Sequence, residues 1–273
     1  MGCDINKKTI LLSLVFLVIL GAGVVLSYIS KTILFDTFPW LLILSVLFGT
    51  ALGVIKARKK KDSVISDGLV SRHDGTGFFQ HWGTALGIFT LIISGILMGF
   101  LFIPHILDTI AGFTFASNIH FIGLVVTLFG GFYFLISYLL TGKLRKMIPG
   151  ARDFTQGTFG KYVLKKKWIS EDKYLSSQKS SFLLFAFLGG IQLITGIIKV
   201  VAHIWSINAG TMAIVTAIHD VFSLLFILFL IAHVLFVVLI KKNRILLGSW
   251  FKGKVTEEYV REEHPVWYEN LKK

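Results

Sequence analysis

Residues 217–240, AIHDVFSLLFILFLIAHVLFVVLI, form an apolar stretch of membrane-spanning length that carries two histidines, His219 and His233. The histidines are 14 residues apart, which is nearly four turns of an α-helix, so both side chains project from nearly the same face. At ~1.5 Å per residue they lie roughly 21 Å apart along the helix axis, most of the way across a hydrocarbon core of about 30 Å. The stretch predicts a membrane helix with one imidazole near each membrane face.

The composition of the whole chain agrees with an all-α integral membrane protein. Of its 273 residues 54% are hydrophobic and only 16% are charged, which is too little polar surface for a soluble domain of this length. The net charge of +13 is not a sign of a nucleic-acid partner, because the basic residues lie in short segments between apolar spans. The single cysteine, Cys3, rules out an internal disulfide, a cysteine-ligated cluster and a C-x-x-C-H haem attachment.

Six apolar spans are predicted. They cover residues 9–30, 38–55, 77–104, 118–141, 181–203 and 212–240, with Pro39 opening the second span and Pro104 closing the third. The basic run KARKKKD at 56–62 separates two N-terminal spans from the remaining four. We expect a two-span extension with its basic loop, a four-helix bundle and a C-terminal tail, which cover residues 1–70, 71–245 and 246–273.

Lysine and arginine fall almost entirely on one side of these spans. The N-terminal tail, the two long loops and the C-terminal tail hold 26 of the 28 basic residues, and only Lys31 and Lys199 lie on the other side. The positive-inside rule therefore predicts a multi-pass membrane protein with both termini in the cytoplasm. The first span resembles a signal sequence in its basic head, but it lacks a clear cleavage site, so we expect a retained anchor.

Four histidines pair by depth on this topology. His81 and His233 lie in the cytoplasmic half of their spans, and His120 and His219 lie in the outer half. Neutral imidazole binds haem iron through one nitrogen while the other ring N–H is fixed by an acceptor. The four residues therefore predict axial ligands of two haems b, one pair at each depth.

Simpler interpretations of these histidines remain open. Each could hydrogen-bond within the bundle or lie at an interface, and a haem-free anchor or transporter would then be the alternative function. Transporters usually carry midplane charges or broken helices, whereas Lys199 and Asp220 lie towards the outer ends of their spans and no span has a central proline. Surface or interfacial roles are expected for the other four histidines: His73, His105, His203 and His264.

Several short motifs add a resemblance to a known family. They are Gln80-His81-Trp82, His120, the His219/His233 pair, Lys173-Tyr174 with Gln178-Lys179, Gly253 to Glu258, His264-Pro265 and Trp267-Tyr268. Over about residues 70–270 the chain resembles the cytochrome b (gamma) subunits of respiratory formate dehydrogenases, within a wider group of cytochromes b of nickel–iron hydrogenases and thiosulfate reductases. The two sister groups are alternatives that the bundle does not distinguish.

The resemblance implies a non-catalytic subunit that anchors and serves an oxidoreductase complex in the lipid of a prokaryotic inner membrane. Its partners would be an iron–sulfur (beta) subunit and a molybdenum- or tungsten-containing catalytic (alpha) subunit. Electrons would pass from the iron–sulfur partner on the outer side through two haems b to menaquinone or ubiquinone near the cytoplasmic side. The quinone neighbourhood is placed near His233, Tyr174 and Gln178. The family's Tyr-Asn-x-Gly reads Tyr174-Leu175-Ser176-Ser177 here, so the individual quinone contacts do not carry over.

Overall fold

The computed structural model describes residues 7–59, 62–161, 163–165 and 171–273, and these are mostly helical. In chain order the helices are α1 (Lys7–Ile29), α2 (Leu34–Thr37), α3 (Trp40–Arg58), α4 (Gly75–Met98), α5 (Ile110–Leu140), α6 (Lys143–Met147), α7 (Ser176–Val201), α8 (Ala209–Leu239), α9 (Lys241–Lys252), α10 (Glu257–Glu263) and α11 (Pro265–Leu271). A π-helical segment, Asp153–Gly160, lies between α6 and α7.

Five helices in the described ranges are long and apolar enough to cross a membrane: α3, α4, α5, α7 and α8. They correspond to the second to sixth predicted spans, with ends that differ by several residues. The predicted first span, 9–30, coincides with α1, but part of its side chains lie outside the described residues. The count of six spans therefore stays a prediction.

The third span ends earlier than predicted, and the prediction that Pro104 closes it is wrong. Helix α4 ends at Met98 and Gly99 follows with φ of +82°, a backbone conformation that favours glycine. A Cβ at Gly99 would lie 2.9 Å from the backbone nitrogen of His105. Phe100 and Ile103 exchange backbone hydrogen bonds of 3.0 and 2.9 Å. The chain therefore turns back on itself before it reaches the proline.

The long helices pack most closely as α4 with α5, α3 with α5, and α7 with α8. Gly49 lets α3 approach α5 closely, because a Cβ there would lie 2.4 Å from the carbonyl oxygen of Phe129. A buried cluster of Ile88, Leu188 and Phe226 joins α4 to α7 and α8. Side chains from both helix pairs thus meet in the interior of the bundle.

A small folded cap covers one end of the long helices. It contains an antiparallel sheet in the order β1 (Ile65–Ser66), β2 (Leu69–Ser71), β3 (Lys254–Thr256), together with α9, α10 and α11. Its core is made of Val70, Leu175, Leu246, Val255, Tyr259, Val260, Trp267 and Tyr268. We call the end of the bundle that carries this cap the basic end and the other end the opposite end.

The cap corrects two sequence predictions. The prediction of an all-α fold missed the three short strands. The surface role predicted for His264 is wrong, because its side chain is fully buried. The reason in both cases is that β2 pairs with β3, which lies far away in the sequence. That pairing folds residues of the predicted tail onto the hairpin of β1 and β2 and encloses His264.

Candidate functional site

The four predicted ligand histidines lie in pairs at matching depths. His81 is six residues after the start of α4, and His233 is six residues before the end of α8. His120 is ten residues after the start of α5, and His219 is ten residues after the start of α8. His81 lies close enough to His233, and His120 close enough to His219, for a charge on one ring to affect the other. The structure therefore brings each predicted pair together, one near the basic end and one nearer the opposite end.

A hydroxyl group fixes the ring of His219. The Oγ1 atom of Thr195 on α7 lies 2.8 Å from His219 Nδ1 and donates its own proton to the carbonyl of Ile191 at 2.7 Å. A hydroxyl has one proton, so Thr195 accepts the contact from the ring. Nδ1 of His219 is then the protonated nitrogen, and the lone pair of Nε2 is available to a metal.

His120 is held in the same way by the neighbouring helix. Ser94 Oγ on α4 lies 3.0 Å from His120 Nδ1 and donates to the carbonyl of Thr90 at 2.7 Å. Ser94 is fully buried, so the bond is shielded from water. The pair nearer the opposite end therefore consists of two imidazoles that present the same nitrogen, each fixed by a hydroxyl from an adjacent helix.

A glycine lies beside each of these two rings. A Cβ added at Gly95 would lie 4.0 Å from His120 Cε1, and one at Gly196 would lie 3.9 Å from His219 Cε1. Glycine at both places keeps a side chain away from the ring edge. Paired neutral imidazoles with fixed Nδ1–H groups are the donor set that haem iron takes from two histidines. The residues present fit a haem between His120 and His219.

His81, near the basic end, belongs to an aromatic stack. Its ring lies 4.6 Å from the ring of Trp250, which in turn lies 3.7 Å from the ring of His73, with interplanar angles of 11° and 18°. Within the described chain the buried Trp82 Nε1 has no hydrogen-bond partner, and its ring lies 5.3 Å from that of His81. A buried indole N–H beside His81 suits an acidic group of a ligand, such as a haem propionate.

A cavity of about 390 Å³ opens at the basic end beside this stack. His73 and Tyr174 both line it, and the Tyr174 hydroxyl lies 3.5 Å from that of Tyr138. Gln178 is not among the described residues that line the cavity. Its side-chain oxygen instead accepts the backbone N–H of Leu175 at 3.0 Å, at the start of α7. Of the two predicted quinone residues, the structure places Tyr174 at a cavity and gives Gln178 a capping role.

Sequence reasoning missed the polar centre of the cap, where Arg72 meets His264. Arg72 Nη1 lies 3.3 Å from His264 Nε2, and Arg72 Nη2 donates to the carbonyl of Lys173 at 2.8 Å. His264 Nδ1 donates to the carbonyl of Asp172 at 2.6 Å. Burial and the nearby Arg72 lower the pKa of His264 to about 3, so the ring is neutral. The apolar residues around position 264, such as Val260 and Trp267, were the available signal.

Asp74 ties α3 to the start of α4. Its carboxylate accepts the N–H of Gly77 at 2.8 Å and pairs with Lys56 of α3. Burial alone would raise the pKa of Asp74, but Lys56, Thr76 and Gly77 lower it to about 2. The group is therefore a carboxylate that caps the helix carrying His81.

Comparison with known protein families gives one match. Residues 72–247 match the family described as prokaryotic cytochrome b561. The match covers more than half of the chain and includes all four paired histidines. A comparison with curated proteins finds no match.

Proposed function

The chain belongs to the prokaryotic cytochrome b561 family, and we propose that it is the di-haem b membrane subunit of a formate dehydrogenase-like complex. The family and the five apolar helices make it an integral membrane protein of the cytochrome b type that binds haem b and transfers electrons. In the proposed complex it takes electrons from an iron–sulfur subunit at the opposite end and gives them to membrane quinone at the basic end. The complete complex would also contain a molybdenum or tungsten catalytic subunit.

Two haem sites are proposed on the four histidines. His120 and His219 would hold the haem nearer the opposite end, and His81 and His233 would hold the one nearer the basic end. When bound, the haems supply one-electron carriers at two depths of the membrane. The protein's own part is to fix the ligands: Thr195 and Ser94 hold the two Nδ1–H groups, so that the lone pairs of both Nε2 atoms are available to a metal.

We assign the quinone to the cavity beside His73 and Tyr174. The cavity lies at the far side of the stack of His81, Trp250 and His73, so aromatic rings connect the haem ligand to the cavity wall. Tyr174 offers a hydroxyl as a hydrogen-bond donor to a quinone oxygen. Menaquinone and ubiquinone share this head-group chemistry, and either fits the proposal.

The orientation in the membrane is also a proposal. The basic end carries most of the lysines and arginines, so the positive-inside rule places it in the cytoplasm of a prokaryotic cell, with both termini on that side. The segments 1–70, 71–245 and 246–273 remain the proposed division into an extension, a haem-binding bundle and a cytoplasmic tail. Close packing of α3 against α5 supports a role of the extension as part of the membrane body.

The observation that carries the haem proposal is the matched hydroxyl–imidazole contact on His120 and His219. The test is a reduced-minus-oxidised spectrum of the protein purified in mild detergent, with haem quantitation. We expect two haems b per chain. A folded protein from haem-replete cells with no haem would overturn the electron-carrier function.

The substrate that donates electrons to the complex needs a separate test, because the catalytic partner subunit determines it. In membranes that contain the whole complex, formate, hydrogen and reduced sulfur compounds are added one at a time while the haem spectrum is recorded. Reduction by formate, followed by reoxidation with a quinone analogue, supports the formate dehydrogenase assignment. If only hydrogen reduced the haems, the chain would be the cytochrome b subunit of a hydrogenase complex, and the proposed haem sites would be unaffected.

A further inference from the structure

A second cavity, of about 340 Å³, lies at the basic end next to the one assigned to quinone. Its described lining consists of Asp62, Ser63, Thr141, Lys143, Lys146, Lys173, Tyr174, Trp267, Asn270 and Leu271. The described lining therefore contains three lysines and one acidic residue, Asp62. The remaining polar residues carry hydroxyl and amide groups. The Thr141 hydroxyl already donates to the carbonyl of Ser137 at 2.7 Å, and the others can donate hydrogen bonds to an anion.

The three lysines come from two separate parts of the chain. Lys143 and Lys146 belong to α6, whereas Lys173 lies in the segment before α7. The Lys173 Nζ atom donates to Ser63 Oγ at 2.9 Å and lies 5.2 Å from the centre of the Trp267 ring. These contacts fix the ammonium group at the cavity wall. Folding of the cap against the ends of α5 and α7 thus brings the positive charges together.

The charges in this cluster repel each other. Burial, followed by the charges of Arg72, Lys143 and Lys146, lowers the pKa of Lys173 to about 7. An anion in the cavity would offset that repulsion and favour the charged form of Lys173. The repulsion between these lysines therefore destabilises the folded protein, and a negatively charged ligand would reduce that repulsion.

The cavity lies at the level where a membrane helix leaves the lipid. Thr141 directly follows α5, a helix long and apolar enough to cross a membrane, and α6 begins two residues later. The wall combines lysines with the apolar surfaces of Trp267 and Leu271. Basic and aromatic side chains at this depth are typical of contacts with lipid head groups.

We propose that this second cavity binds the phosphate group of an anionic phospholipid, held by Lys143, Lys146 and Lys173. Lysine ammonium groups bind phosphate as point charges, and Ser63 and Asn270 supply neutral donors around them. None of the four paired histidines lines this cavity, but six of its ten lining residues, Tyr174 among them, also line the cavity assigned to quinone, so the two ligands would lie side by side. The proposal assigns a structural lipid to the basic end of the bundle.

The test compares two charge-removing variants of α6. Lys143→Gln/Lys146→Gln removes two lining charges, whereas Arg145→Gln removes an exposed charge of the same helix that does not line the cavity. Each protein is reconstituted in nanodiscs of phosphatidylcholine, with phosphatidylglycerol added, or with inorganic phosphate added instead. Unfolding is followed by tryptophan fluorescence, and retained lipids are counted by native mass spectrometry. Neither measurement depends on haem redox chemistry.

We expect phosphatidylglycerol to raise the unfolding temperature of the wild type and of Arg145→Gln, with retained anionic lipid in both. In the double variant we expect this rise to be lost and phosphatidylglycerol binding to weaken roughly tenfold or more. An equal rise in the double variant and the wild type would overturn the proposal. Stabilisation by inorganic phosphate without any effect of phosphatidylglycerol would overturn the lipid and assign the cavity to soluble phosphate.

Discussion

The hydroxyl oxygen of Thr195 lies 2.8 Å from Nδ1 of His219, and its proton is already given to a backbone carbonyl. We predict that Thr195→Val removes the acceptor that fixes the protonated nitrogen of His219. The expected result is weaker haem retention at this site and a changed midpoint potential of one haem, because loss of such a partner typically costs 10–100-fold in metal affinity. Potentiometric titration with haem quantitation measures both.

The matched control is Thr195→Ser, which keeps the hydroxyl and loses only a methyl group. It should retain both haems with potentials close to those of the wild type. If Thr195→Val also behaved as the wild type, the contact with His219 would have no role in ligation.

Removal of a single ligand tests the pairing by depth. We predict that His120→Ala loses one haem and that His219→Ala loses the same one, because the two rings lie at one depth and interact electrostatically. His81→Ala and His233→Ala should each lose the other haem. A pyridine haemochrome assay gives the number of haems, and the midpoint potential of the haem that remains identifies which haem is lost. The exposed His105 supplies the control, and a His120→Ala protein with both haems would contradict the pairing.

The aromatic stack predicts a defect in quinone reduction. Trp250 lies between His81 and His73, with ring distances of 4.6 and 3.7 Å. We predict that Trp250→Leu keeps the haems but slows their reoxidation by a quinone analogue, because the side chain that links the ligand to the cavity wall is lost. Stopped-flow absorbance measures the rate. The control is Trp205→Leu, which alters an exposed tryptophan and should leave the rate of haem reoxidation unchanged. Equal rates in the wild type and both variants would show that the stack is not on the electron path.

The helices and the ligand candidates were predictable from the sequence because both depend on local patterns. Long apolar runs must form helices in lipid, since every backbone group needs an internal hydrogen bond. Four histidines within such runs are easily noticed, because ionisable residues are rare there. The end of α4 was missed because Gly99 and Pro104 both interrupt helices, and only the three-dimensional turn shows which one acts.

The cap was not predictable for a different reason. Its strands have two or three residues each, and the register pairs Val70 with Val255 across most of the chain. Strands this short carry no periodic signal of their own. The burial of Arg72 and His264 follows from that long-range pairing. The apolar neighbours of His264 were a local sign of its burial, but they did not indicate that Arg72 would be its partner.

Arg72 is predicted to stabilise the cap. The residue is only 7% exposed. Its guanidinium donates to the Lys173 carbonyl and to His264 and lies 5.3 Å from the centre of the Trp267 ring. Arg72→Ala leaves these buried acceptors without a donor, so we expect the free energy of unfolding to fall by roughly 2 to 4 kcal/mol. Limited proteolysis of the C-terminal segment and chemical denaturation in detergent measure the change. The exposed Arg58 is the control, and equal protease resistance of both variants would contradict the role of Arg72.

Lys173 makes the stability of the protein depend on pH. Burial and the neighbouring positive charges lower its pKa from 10.5 to about 7. Between these values the unfolded chain holds a proton that the folded chain has released, so stability rises with pH across the window. Below pH about 7 Lys173 is protonated in both the folded and the unfolded chain, so its contribution to stability no longer changes with pH. We predict that the wild type gains stability between pH 7 and pH 10 relative to Lys173→Met.

Lys173→Arg separates this proton effect from a loss of contacts. Its guanidinium keeps its charge throughout the window, so it should lack the pH-dependent gain in the same way as Lys173→Met, although the two variants differ in absolute stability. Unfolding temperatures of the three proteins at several pH values in one detergent give the differences directly, because all other titrating groups are shared. Parallel curves for all three would show that Lys173 titrates outside this window, and the charge cluster at the basic end would then be weaker than its geometry indicates.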